Sequence, residues 1–191
     1  FYYASTHWVD RIVTDRADRV WYRVWDDRYR VAYFVLAESL RPIPAEELTS
    51  LSGDVPDKRI EVNLAQQRLT AYEQGGAVFS TVVSTGRRGV ETPTGHFVVR
   101  QKRPSRHMAA TDGNGFDLPG VPWVSYIHWT GVALHGTYWH NDFGTPRSRG
   151  CINLTPADAR WLFRWTTPVV PAGEDDVQSA CCGTAIDVVS A

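Results

Sequence analysis

Apolar and polar positions alternate with a period of two over much of the chain, the mark of strands that bury one face. Ile60, Val62 and Leu64 alternate from Arg59 onward, and Gln67–Glu73 carries the pattern on. Gly75-Gly76 then reads as a hairpin turn, with the β-branched run Ala77–Ser84 returning antiparallel until Gly86 and Gly89 break it. Thr92-Pro93-Thr94-Gly95 predicts a tight turn and His96–Arg100 the next strand, with further strands at Val121–Trp129, Val132–Leu134 and Thr184–Val189. Nearer the start, Trp21–Trp25 and Arg30–Val35 read as strands around a turn-like Asp26-Asp27. The helical signal is concentrated in Asn153–Thr167. There Thr155 can cap, Pro156 opens the first turn, and Asp158 stands three residues after the cap. A second short helix is expected at Ala45–Leu51, behind Pro44. Gln101–Gly120, rich in Gly, Pro, Asp and Arg, predicts a long loop or flap.

The fold class is therefore mainly β with one or two short helices. The organisation predicted is a small β module over residues 1–41, a Pro-containing linker over 42–57, and a catalytic-size domain over 58–191. The chain has 191 residues, 43% of them hydrophobic, enough for one good core with a small satellite. A formal net charge of -1 removes any global electrostatic case for nucleic acid, and the short apolar runs predict no transmembrane segment. The opening Phe1-Tyr2-Tyr3, with no Met and no leader pattern, reads as part of a longer precursor or a processed product. Of the three cysteines, Cys181 and Cys182 are adjacent and read as structural or incidental, whereas Cys151 stands alone in a Gly- and Ser-flanked segment. No Cys-x-x-Cys spacing occurs and the histidines fit no compact ligand pattern, so neither a metal nor a cofactor is expected.

The chemistry points to His135-Gly136-Thr137 and Ser148-Arg149-Gly150-Cys151-Ile152-Asn153-Leu154. A thiolate is the strongest side-chain nucleophile for acyl transfer near neutral pH, and a histidine has the pKa to serve as its base. His135 follows an apolar strand end, a rigid mount. Gly150 lets the backbone approach closely and turn N–H groups toward an oxyanion. The helix after Asn153 is expected to bring its positive end near the thiol and lower its pKa. The plain alternative is a small buried cysteine and a satisfied histidine; composition leaves both open.

These two segments resemble the YkuD-type L,D-transpeptidase family, whose motif is a His, about fifteen residues, then Ser/Thr-His-Gly-Cys followed by Asn or Arg. His135 and Cys151 lie sixteen positions apart. Thr92-Pro93-Thr94-Gly95-His96-Phe97 resembles the family's Thr-Pro-x-Gly-x-Phe turn, and Arg59–Tyr72 its opening hairpin. The resemblance covers about 58–191. It implies a β-sandwich-like fold, Cys151 as nucleophile, His135 as base oriented by the Gly136 carbonyl, and the Gly150 and Cys151 N–H groups as oxyanion donors. It further implies cross-linking of peptidoglycan stem peptides through a thioester, acylation by carbapenems, and a bacterial extracytoplasmic location. Arg149 departs from the family's His and is expected at the cleft, favouring the thiolate and holding a carboxylate. Tyr126, Trp123, Ser148, Asn153 and His140 are the candidate substrate contacts. The basic run Gln101–His107 would cover an anionic substrate, and the N-terminal module resembles SH3-like pieces of cell-wall enzymes. An L,D-carboxypeptidase using the same thioester, or a non-catalytic wall-binding module, are the rival functions.

Overall fold

The computed structural model describes residues 1–53, 55–110, 115–179 and 181–190. An N-terminal antiparallel sheet has the order β1-β2-β3, with β1 at Val9–Thr14, β2 at Val20–Asp26 and β3 at Val31–Leu36. Residues 37–58 hold two short 3-10 turns, Ala37–Ser39 and Ala45–Leu48; the latter falls where the sequence suggested a short helix.

The catalytic-size domain opens with β4 (Arg59–Asn63), β5 (Arg68–Glu73), β6 (Gly76–Val82) and β7 (Gly95–Val98). Next come β8 (Gln101–Ala109), β9 (Asp117–Tyr126), β10 (Ala133–Gly136) and β11 (Ile152–Leu154). Helix α1 (Pro156–Trp165), β12 (Val177–Gln178) and β13 (Ala185–Val189) complete it. Two five-stranded sheets result, β6-β5-β4-β13-β7 and β11-β10-β9-β8-β12. Between them lies one core: Ile60, Val62, Leu69, Val83, Ile186 and Val188 from the first sheet meet Trp123, Leu134, Ile152 and Leu154 from the second. Leu162, Phe163 and Trp165 of α1, which packs on β9, β10 and β11, enter the same core. Two sheets sharing a core make this a β-sandwich with one helix.

Local chemistry explains the joints. Gln74 (φ 50°) and Gly75 (φ 82°) make the two-residue turn between β5 and β6, both in the left-handed region that such hairpins require. Thr155 caps α1 by accepting from the Asp158 N–H at 3.1 Å, with Pro156 opening the helix, as its sequence predicts.

The sequence expectation fails at Gln101–Gly120. It is not a loop: β8 and the start of β9 pair antiparallel across most of it, and the part at 111–114 lies outside the described residues. Polar residues occupy inward positions here, which hides the alternation. The Lys102 ammonium is buried and donates to the carbonyls of Phe163, Thr166 (2.9 Å) and Pro168 (2.8 Å) at the C-terminal end of α1. Burial lowers its pKa to about 7, while the helix carbonyls offer the charge a favourable site. Arg103 and Arg106 both pair with Asp27. The basic run is thus committed to partners within the chain and is not a free cationic cover.

Candidate active site

On the face of the second sheet turned away from the main core lies a smaller apolar bed. Val121, Val124 and Ala133 are buried there, with Met108, Leu118, Tyr126, Trp139 and Cys151 packed around them. Along β10, Leu134 enters the main core, so the neighbouring Ala133 and His135 face this bed. Along β11, Ile152 and Leu154 enter the core, so Asn153 shares the face of His135, its register partner on the parallel strand. Cys151 stands two residues before Asn153 and takes the same side. Strand spacing and rise put the His135 and Cys151 Cα atoms roughly 8 Å apart, a diagonal that two side chains can close.

Both groups are neutral in this setting. Burial raises the Cys151 thiol above its ordinary range, only partly countered by the Ala133 N–H directed at Sγ. The thiol points toward the Gly131 carbonyl, Sγ to O 3.7 Å. Burial lowers His135 to about 4, against the Gly136 carbonyl, whose contact with Nδ1 (3.1 Å) favours the charged ring. A carbonyl can only accept, so Nδ1 carries the proton and Nε2 is left as the basic nitrogen. The expected helix effect is absent because α1 begins at the far end of β11. Thr155 is four residues from Cys151, roughly 13 Å of extended chain, beyond the reach of a helix terminus.

The segment before the nucleophile is fastened from within. Gly150 has φ 118°, a conformation that side-chain-bearing residues rarely adopt. Ser148 is buried; its Oγ donates to the Cys151 carbonyl at 2.5 Å and accepts from the Gly150 N–H at 3.1 Å. The Gly150 N–H is therefore turned inward, not toward an oxyanion as expected, and Ser148 is occupied in holding the loop.

Thr92 gains a role that its Pro-Gly context concealed. Its buried Oγ1 accepts from the Gly86 N–H (2.9 Å) and donates to the Gly150 carbonyl (2.9 Å), tying the Thr-Pro-Thr-Gly turn to the nucleophile loop. A Cβ on Gly86 would meet the Val90 carbonyl oxygen at 2.4 Å, so the glycine permits this close approach. Replacing Thr92 by Val keeps the shape and strands two buried backbone groups. We expect Thr92→Val to cost roughly 2–4 kcal/mol in urea unfolding and Thr92→Ser to stay near wild type.

The remaining candidates divide. Tyr126 packs against the same small apolar bed as Cys151, and Asn153 Nδ2 lies 2.9 Å from His140 Nε2. His140 also receives the Asp142 N–H at Nδ1, 3.2 Å, and the ring of Trp139 lies between those of His135 and His140 in sequence and in contact. Trp123 is in the main core, 5% exposed, against Phe163, and does not face Cys151. Arg149 is exposed, its guanidinium 5.9 Å from the Phe116 ring centre, and the thiol's pKa is set by other groups. Asp142 pairs with Arg147 (2.9 Å), not with Arg149. Cys181 and Cys182 are exposed free thiols. Among the described residues no three His, Cys, Asp or Glu side chains are grouped to hold a metal ion, and no helix is long and apolar enough to cross a membrane.

The family model for the L,D-transpeptidase catalytic domain (YkuD) matches residues 57–178, and the chain belongs to that family. L,D-transpeptidase 2 of Mycobacterium tuberculosis is 28% identical over 103 residues, 50% of this chain and 25% of that protein. A mutant L,D-transpeptidase of Enterococcus faecium has a crystal structure similar over 71% of this chain and 50% of its own, at 28% identity and a TM-score of 0.56. The imipenem complex of LdtMt1 matches 97% of this chain and 78% of its own at 19% identity and a TM-score of 0.55, a likeness of fold that reaches the N-terminal sheet. The chain spans between 25% and 64% of the length of the curated relatives it matches.

Proposed function

We propose that the chain is a cysteine peptidyltransferase that cross-links peptidoglycan stem peptides outside the cytoplasm, with Cys151 as nucleophile and His135 as base. The observation that carries this is the shared face: an imidazole on β10 and a thiol just before the adjacent β11, with Nδ1 of the imidazole tied to the Gly136 carbonyl and Nε2 left basic. His135 Nε2 takes the Sγ proton as sulfur attacks the carbonyl carbon before the terminal D-residue of a donor tetrapeptide. The tetrahedral intermediate collapses, the amine of the departing residue takes the proton from His135, and a thioester remains on Cys151. The side-chain amine of a second stem then attacks the thioester, giving its proton to His135, which returns it to the departing sulfur. Water in place of that amine makes the reaction an L,D-carboxypeptidase. The Cys151 N–H is the oxyanion donor we assign from the nucleophile segment, because Gly150 is engaged with Ser148. Tyr126, Asn153 and His140 line the donor side. The SH3-like identity of the N-terminal sheet rests on its strand pattern alone.

The structural relative LdtMt1 is seen with imipenem, and a second relative as an avibactam carbamoyl enzyme, which supports reaction of this chain with such inhibitors. Incubation with imipenem should add one drug mass to the intact chain and none to Cys151→Ala. An unmodified wild type, or a modified Cys151→Ala, would overturn the assignment. With a disaccharide-tetrapeptide as sole substrate, a cross-linked dimer marks transfer and a tripeptide product marks hydrolysis.

A further inference from the structure

Asn153 is fixed through its backbone on both sides. Its strand pairs in parallel with β10, where His135 is its register partner. On the other side its N–H donates to the Ser84 carbonyl (2.9 Å), and its own carbonyl accepts from the Ser84 N–H (3.0 Å). The residue is 2% exposed, with its side chain on the face shared with His135 and Cys151. What the backbone leaves open is the polarity of the amide, that is, which end is oxygen and which is NH2. The two ends have the same shape, and their hydrogen-bond partners decide between them.

His140 supplies the deciding partner. Its Nδ1 receives the Asp142 N–H at 3.2 Å, and a ring nitrogen that accepts carries no proton. Burial holds this ring below the ordinary histidine range, with the Asp142 carboxylate working against that and Arg147 adding to it, so the neutral form prevails near neutral pH. A neutral imidazole with Nδ1 bare has its proton on Nε2. Nε2–H is then a donor, 2.9 Å from one end of the Asn153 amide. With Nδ2 in that place two donors would meet. With the amide turned by half a turn, Oδ1 accepts from Nε2–H and Nδ2 takes the opposite end. That end is buried and has no hydrogen-bond partner among the described residues.

We infer that His140 is a positioning residue: by donating Nε2–H to the Asn153 oxygen it fixes the amide with its NH2, the positive end of the dipole, buried on the face of His135 and Cys151. There it favours negative charge, first on the sulfur and then on the acyl oxygen of the tetrahedral intermediate, without reorienting as that charge forms. An amide facing the other way would favour the imidazolium and oppose the oxyanion. The catalytic consequence rests on the reading of Cys151 as nucleophile; the orientation of the amide does not.

The test uses the full chain. Long-range proton–nitrogen NMR correlations of the His140 ring, assigned by their loss in His140→Gln, should place the proton on Nε2. A proton on Nδ1 would overturn the inference, since the ring would then accept from Asn153. His140→Ala and Asn153→Ala should each move the midpoint of the pH profile of Cys151 alkylation by iodoacetamide upward. Each should also slow imipenem acylation about tenfold, the scale of one hydrogen bond to a charged group. A merely structural loss would change the alkylation rate at every pH and leave the midpoint in place. Combining the two should cost no more than Asn153→Ala alone, because His140 acts through the amide. His140→Gln can still donate at that reach and should recover most of the rate. Wild-type midpoints and rates in the folded single variants, or losses that add in full, would overturn the inference. Should an alanine variant fail to fold, the tautomer and the comparison of His140→Gln with His140→Leu, which fills the space without donating, decide by the same criteria. If imipenem leaves the wild type unmodified, the functional reading fails alone, and the tautomer and the alkylation midpoints decide this inference.

Discussion

Cys151→Ala will remove peptidyl transfer to below detection, a fall of about 10⁴-fold or more, because no other group can carry the acyl intermediate. The fold should hardly respond. Cys151 is only partly buried at the edge of the smaller apolar bed, and exchanging its sulfur for hydrogen leaves Gly150, Ser148 and Thr92 in place. The change in unfolding free energy should stay within about 1 kcal/mol. Thermal unfolding and turnover of the same preparation check both halves. Appreciable turnover in a folded Cys151→Ala chain would rule out the thioester. The raised thiol adds a quantitative point. Without a bound donor, wild-type Cys151 should react with iodoacetamide at neutral pH more slowly than a free cysteine, because burial keeps it protonated.

How much of this was legible in the sequence depended on where each residue finds its partners. The alternation of Ile60 and Val62, the cap at Thr155 and the Gly75 turn are local, and the structure places strand, helix and hairpin there. The spacing of His135 and Cys151 was legible too, since His135 lies in β10, Cys151 directly precedes β11, and the two strands lie side by side. Gln101–Ala109 was not. Its strand buries Lys102, Pro104 and His107, whose partners stand at Phe163, Thr166, Asp26 and other distant positions. A polar residue with a remote partner looks the same in sequence as one in water. The place of β13, parallel to β4 from the other end of the domain, was hidden for the same reason. Thr92 was visible only as part of a turn, because neither Gly86 nor Gly150 announces the side chain that will bridge them. The expected effect of Arg149 on the thiol does not appear, because proximity along the chain says nothing about direction; its guanidinium lies near Phe116.

The second large effect belongs to His135. His135→Ala should lower turnover a hundredfold or more, the usual scale for a lost general base. Its pH behaviour distinguishes two mechanisms. A preformed thiolate–imidazolium pair needs His135 charged at rest and would fail as the ring loses its proton. Here burial lowers the ring to about 4 and raises the thiol, so the resting pair is neutral, and the base works as long as it stays unprotonated. The rate should therefore hold steady across the mildly acidic range and fall only as pH drops toward about 4. A rate lost as pH rises, where the ring would give up its proton, would instead favour the ion pair. Stability carries the same signature. Between about 4 and 6.5 the unfolded chain binds a proton at this residue that the folded protein does not, so stability rises with pH through that window and is lost as pH falls through it. His7, also lowered to about 4 mainly by burial, contributes in the same direction. His135→Gln should therefore reduce the slope of stability against pH without abolishing it, while an unchanged slope would show that the ring is not held neutral by burial.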